Sequence, residues 1–92
     1  MIRSFRHKGL ADLYRKGNAA KVRPDLQARI LRRLDALNAA RDLAELNAPG
    51  FDFHPLKGRK PTRYSLHVNG PWCITFEWID GDVLRVDLEQ YH

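Results

Sequence analysis

A chain of 92 residues makes one domain, and at that length it buries only ~60–65% of the surface its unfolded form exposes, enough for one modest core. Hydrophobic residues make up 43%, which excludes wholesale disorder; no apolar run approaches the ~18 residues of a membrane span, and residues 1–4 lead into no signal-peptide core. The single cysteine, Cys73, excludes an intramolecular disulfide and a cysteine-based zinc cluster, and a reducing, cytoplasmic setting is the expectation.

Sixteen Lys and Arg against eleven acids leave a net charge of +5. A small domain this basic is expected to attract a polyanion, and composition alone leaves a merely soluble basic surface equally open. The placement of the cations has to decide between them.

In chain order, residues 2–5 are a short strand candidate. Residues 7–16 place Leu10, Leu13 and Tyr14 at helical spacing and stop at Gly17, a helix-ending glycine. Pro24 and Asp25 suit the first turn of a second helix, along which Leu26, Ile30, Leu34 and Leu37 follow at intervals of four, four and three. One apolar stripe at this spacing is what a core-facing helix needs, not a cofactor box. Arg29, Arg32 and Arg33 are read as lying off it. Leu43 and Leu46 add a short helical turn before Asn47, Ala48, Pro49 and Gly50 break the segment.

From Phe51 the character changes. Aromatic and β-branched residues take over, punctuated at Lys57-Gly58, Asn69-Gly70-Pro71 and Asp80-Gly81. Residues 63–68, 72–79 and 83–88 read as three strands of an antiparallel meander, the last two joined as a hairpin by Asp80-Gly81. Period two puts Trp72, Ile74, Phe76 and Trp78 on one face, and Cys73, Thr75 and Glu77 on the other. The predicted class is α+β: a helical hairpin packed on a small antiparallel sheet in two layers, one domain over residues 1–92.

Residues 54–64 run His-Pro-Leu-Lys-Gly-Arg-Lys-Pro-Thr-Arg-Tyr, a loop entering a strand. Lys57, Arg59, Lys60 and Arg63 supply cations for phosphate oxygens, and Tyr64 offers an aromatic face to an unpaired base, the mixture that RNA enzymes and RNA binders use. The last four residues, Glu89-Gln90-Tyr91-His92, follow the last strand directly. Taken alone they read as a frayed tail. The sheet can instead hold them beside the loop carrying His54 and Lys57, where two imidazoles, a phenol and an ammonium suit acid–base chemistry on a phosphodiester. The four histidines share no zinc-ligand spacing, and neither a phosphate-cradling glycine loop nor a serine nucleophile elbow is present, so no cofactor and no metal are expected.

The opening Met-Ile-x-Ser-Phe, the central His54-Pro-Leu-Lys57-Gly58, the strand Trp72-x-Ile74-x-Phe76 and the terminal Tyr91-His92, in that order from residue 1 to residue 92, resemble the HigB-type toxins, also called plasmid-maintenance killer proteins. The resemblance implies a RelE-like fold and ribosome-dependent cleavage of mRNA in the A site. In that chemistry the ribose 2′-OH attacks the adjacent phosphate without a metal, leaving a cyclic phosphate and a free 5′-OH. By matching position, His54 and His92 are implied as the acid–base pair, Tyr91 as the residue that stacks on or orients the nucleotide, and Lys57 as a contact to the scissile phosphate. Partners implied are the 70S ribosome and its mRNA, and a HigA antitoxin of the helix-turn-helix type that meets operator DNA together with the toxin; no membrane is implied. Arg29, Arg32, Arg33, Lys57, Arg59, Lys60 and Arg63 are the expected RNA- and ribosome-binding set.

Two positions depart from the pattern. Relatives usually carry arginine where this chain has Cys73, and the loss of one preorganised donor of that kind typically costs ~10²–10³ in rate, so a weakened enzyme is expected. Gln90 replaces an acid found in some relatives. The same fold also serves ParE-like inhibitors of DNA gyrase, and a non-catalytic RNA- or ribosome-binding module is a further reading. Fold analogy does not separate these; the histidines and Lys57 favour the nuclease.

Overall fold

Helix α1 (Lys8–Lys16) starts where the His7 imidazole accepts a hydrogen bond from the Leu10 N–H at 3.1 Å, in a computed structural model that describes residues 1–90. It ends at Gly17, whose φ of 70° lets its N–H reach the Leu13 carbonyl while the Asn18 N–H reaches that of Asp12. Arg15 and Lys16 stand in the last turn, where cations meet the negative end of the helix. Pro24–Leu26 forms a single 3₁₀ turn that leads into α2 (Gln27–Ala39), and Leu43–Leu46 forms another after it.

Four strands follow: β1 (His54–Leu56), β2 (Arg63–Asn69), β3 (Trp72–Ile79) and β4 (Asp82–Gln90), all antiparallel and in that order across the sheet. Asp80 and Gly81 close the last hairpin with positive φ at both positions, as the turn matching strand twist requires. The architecture is α+β, a helical layer on one antiparallel sheet. Leu10, Leu13, Leu26, Ile30, Leu34 and Leu37 pack with Leu66, Val68, Ile74, Phe76, Val83 and Val86 in one buried cluster. No helix among the described residues is long and apolar enough to cross a membrane.

Three local expectations change. Residues 2–5 do not form a regular strand. They lie parallel to the outer edge of β4 with isolated bridges at Ile2–Val83 and Phe5–Val86, covering that edge. The second change is in β4, read as an unbroken strand, where the register slips between Thr75 and Glu77 and Arg85 takes φ of 50°. This bulge lets Val83 and Val86, three apart, both face the core. The third change is β1: His54, Pro55 and Leu56 are not loop but an edge strand paired with Ser65, Tyr64 and Arg63.

Candidate active site

Strand alternation gives the sheet a second face, turned away from the helices. The register lays His54, Ser65, Thr75 and Asp87 in one row across it. Leu56, Arg63 and Glu77 form the next row on the side of the β1–β2 turn, and His67, Cys73 and Glu89 the row on the other side. This face is polar yet largely covered. Arg63, Ser65, Cys73, Thr75 and Glu77 are all buried.

His54 opens β1 and stays exposed. Its Nδ1 lies 2.8 Å from the Asp52 carbonyl oxygen. A carbonyl only accepts, so Nδ1 carries a proton, and in the neutral ring the lone pair falls on Nε2. Asp52 itself has φ of 46°, in the left-handed region, which lets the chain double back two residues before the ring it holds. Lys57 and Gly58 make the turn that follows β1, and Lys57 and Lys60 are both exposed. The turn does not point away into solvent. Arg59 Nη1 comes within 3.7 Å of Glu89 Oε2 on β4, so residues 57–62 are drawn across the polar face.

Beneath them runs a chain of ion pairs and hydrogen bonds. Arg85 Nη1 donates to Glu77 Oε1 at 2.7 Å, and Arg63 Nη1 donates to Glu77 Oε2 at 3.0 Å. Arg63 Nη2 reaches both the Thr75 hydroxyl at 2.9 Å and the Arg85 carbonyl at 2.8 Å. The Thr75 hydroxyl in turn donates to Glu89 Oε2. Ser65 Oγ and Arg63 Nε, both buried, find no partner among the described residues.

Not every residue expected to meet RNA can do so. Arg63 is 4% exposed and committed to Glu77, Thr75 and the Arg85 carbonyl, so it is a buried structural cation rather than an RNA contact. Arg33 is also misplaced by the expectation. It lies three residues after Ile30 and four before Leu37, which puts it on the core side of α2, 5% exposed, with its guanidinium over the Phe51 ring. Burial, then the charges of Arg32 and Arg29, lower its pKa from the usual arginine value. Arg29 and Arg32 are exposed, but on α2, in the layer on the far side of the sheet from His54. The structure therefore gathers His54, Lys57, Arg59, Lys60 and Cys73 on or around one face and leaves the α2 arginines elsewhere. Tyr91 and His92 lie outside the described residues.

Sequence reasoning gave no individual role to Glu77, Thr75, Glu89 or Asp52. A signal existed for the first: a carboxylate between Phe76 and Trp78 in mid-strand needs a cation partner if it is buried, and Arg63 is the cation that the meander brings opposite. The role of Asp52 is played by its main chain and leaves no mark on residue type.

Compared with known proteins, the chain matches over residues 3–92 a family described as the RelE-like toxin of type II toxin-antitoxin system HigB. It is 41% identical over 92 residues to the Endoribonuclease HigB of Proteus vulgaris, with all of both chains covered. It is 28% identical over 93 residues to Toxin HigB-1 of Vibrio cholerae serotype O1, covering 99% of this chain and 98% of that one.

Proposed function

The chain belongs to the RelE-like HigB toxins of type II toxin–antitoxin systems, and from that footing we propose that it is an endoribonuclease that cleaves translated mRNA in the ribosomal A site. The observation that carries the reading is the exposed His54 ring with its proton fixed on Nδ1 by the Asp52 carbonyl, next to a turn bearing Lys57, Arg59 and Lys60. A nuclease of this kind needs an imidazole nitrogen that takes or gives a proton beside cations that meet phosphate.

In the proposed reaction the ribose 2′-oxygen attacks the adjacent phosphorus as its proton passes to a base. The 2′-O–P bond forms, the bond from phosphorus to the 5′-oxygen breaks, and that oxygen takes a proton from an acid. The products are a 2′,3′-cyclic phosphate and a 5′-OH. His54 Nε2 takes one of the two proton-transfer roles and His92 the other, with Tyr91 orienting the nucleotide. Lys57 meets the scissile phosphate, where an ammonium stabilises the charge that grows on its oxygens. As a toxin of such a system the protein has an antitoxin partner. We take that partner to be a HigA-type helix-turn-helix protein, through which the pair meets operator DNA, and the setting to be the cytoplasm.

The test maps the 5′ ends of a message in a translating extract, and of the same RNA free in solution. The chain should cut only the translated message, and His54→Ala or removal of Tyr91 and His92 should lower cutting by ~10²–10⁴. Undiminished cutting by both variants overturns the assignment. Gyrase as the sole tight partner overturns the nuclease.

A further inference from the structure

Arg33 carries a buried charge that the proposed chemistry does not use. Its guanidinium stands beside Arg29 and Arg32 on its own helix, and no carboxylate pairs with it among the described residues. A buried ion without a counter-ion is costly unless its donors are met by well-placed acceptors. Here the acceptors are all main-chain carbonyls. Nε donates to His67 at 2.6 Å, Nη1 to Arg29 at 3.0 Å and Nη2 to Gly50 at 3.4 Å, while Cζ stands 4.7 Å from the centre of the Phe51 ring.

Two of these contacts fall on the segment that leads into His54. Gly50 and Phe51 directly precede Asp52, whose carbonyl holds the His54 ring. The other end of the clamp is β2, since the His67 carbonyl takes the guanidinium while the His67 N–H donates to the Phe51 carbonyl at 2.6 Å. Helix, segment and strand are thus joined at one planar group, next to a residue, Asp52, held at φ of 46°. Aspartate tolerates that conformation better than most non-glycine residues, and the clamp fixes the two residues that precede it.

We propose that Arg33 is a positioning residue for His54. It holds residues 50–52 against β2, so that the Asp52 carbonyl keeps the imidazole proton on Nδ1 and leaves Nε2 free for proton transfer. The role is exerted through the main chain; Arg33 itself touches no RNA. The proposal rests on His54 being an acid–base group of the nuclease. Its planar fork matters, because a guanidinium reaches three carbonyls in different directions while its carbon stands over a ring.

The experiment is nitrogen NMR of the full chain labelled in histidine, which reads the His54 tautomer directly, run beside cleavage of a translated message. In the unaltered protein the neutral His54 ring should carry its proton on Nδ1. In Arg33→Met the two tautomers should mix, and kcat should fall by about 10–100-fold with ribosome affinity unchanged. Arg33→Lys should behave like Arg33→Met, since it keeps the charge and loses the fork. Phe51→Leu, which spares the hydrogen bonds, keeps the test available if Arg33→Met does not fold, and should shift the tautomer in the same direction by less. An unchanged Nδ1–H tautomer in the variants overturns the proposal, as does a loss confined to ribosome binding. The NMR result does not depend on activity. His54→Ala cutting at full rate would overturn the acid–base reading instead, whatever the tautomer shows.

Discussion

The Cys73 thiol faces Glu89 across one ladder and His67 across the other, one row from His54 on the same polar face. It is 8% exposed and stands apart from the apolar cluster beneath the helices, so core packing does not ask for it. The resemblance implies that an arginine usually occupies this place in the Trp-x-Ile-x-Phe strand. A guanidinium here would lie along Glu89, in reach of the charge that Arg59 already meets from the other side. Neither arginine on the neighbouring strands substitutes for it, because Arg63 and Arg85 both close on Glu77. Cys73→Arg is therefore expected to raise cleavage of a translated message by ~10²-fold at equal ribosome occupancy. Rates of the two chains within about threefold, under ~0.7 kcal/mol of barrier, would show that the thiol costs nothing there.

Among the elements, α1 hangs on its first turn. A Cβ added at Gly9 would come within 2.8 Å of both His7 Cε1, in the capping ring, and Lys21 Cβ. Glycine inside a helix ordinarily costs ~0.5–1 kcal/mol against alanine, so Gly9→Ala should stabilise on propensity alone. The crowding reverses the sign: the cap must give way, and a lost cap is worth ~1 kcal/mol. Thermal denaturation of Gly9→Ala is expected to show a lower Tm, and a higher one would refute the reading of this turn. The helices were legible because they carry their own punctuation. Gly17 stops α1, and the stripe from Leu26 to Leu37 needs no tertiary context to be read. Arg33 was misread: charge put it off the stripe, although its spacing from Ile30 and Leu37 lies on the core side, where it is buried. Strand β1 was not legible, since three residues with a proline in the middle show no alternation, and an edge strand is the one place in a sheet that tolerates that proline. The bulge at Arg85 was not legible: residues 83–88 read as an unbroken strand, on which Val83 and Val86 cannot both face inward as they do. Of the site, His54 and its basic turn were readable from residue type, while the Asp52 carbonyl and the buried Arg63–Glu77 pair appear only once the strands are in register.

At the scale of the whole molecule, the exposed cations expected to meet RNA divide between two sides. Lys57, Arg59 and Lys60 border the polar face, whereas Arg29 and Arg32 stand on α2 in the helical layer behind it. The molecule measures 30 × 27 × 24 Å, so a strand threaded past His54 does not also lie along α2 without wrapping round it. The two groups should then serve different nucleic acids in the proposed complex: the message at the turn, and ribosomal RNA at the helix. Arg33 and Arg63, buried and bonded within the fold, belong to neither group. This division sets what salt should do. Ribosome binding should weaken steeply as salt rises, because each phosphate contact releases counter-ions. Replacing Arg29 or Arg32 by Ala should lower the slope of log K against log salt by about 0.7 each, with kcat on bound ribosomes unchanged. Replacing Lys57 should lower kcat as well, since the proposed reaction sets its ammonium at the scissile phosphate. Binding that is indifferent to salt between low and moderate concentrations would refute the electrostatic reading, and equal effects on kcat from α2 and from the turn would refute the division into two faces.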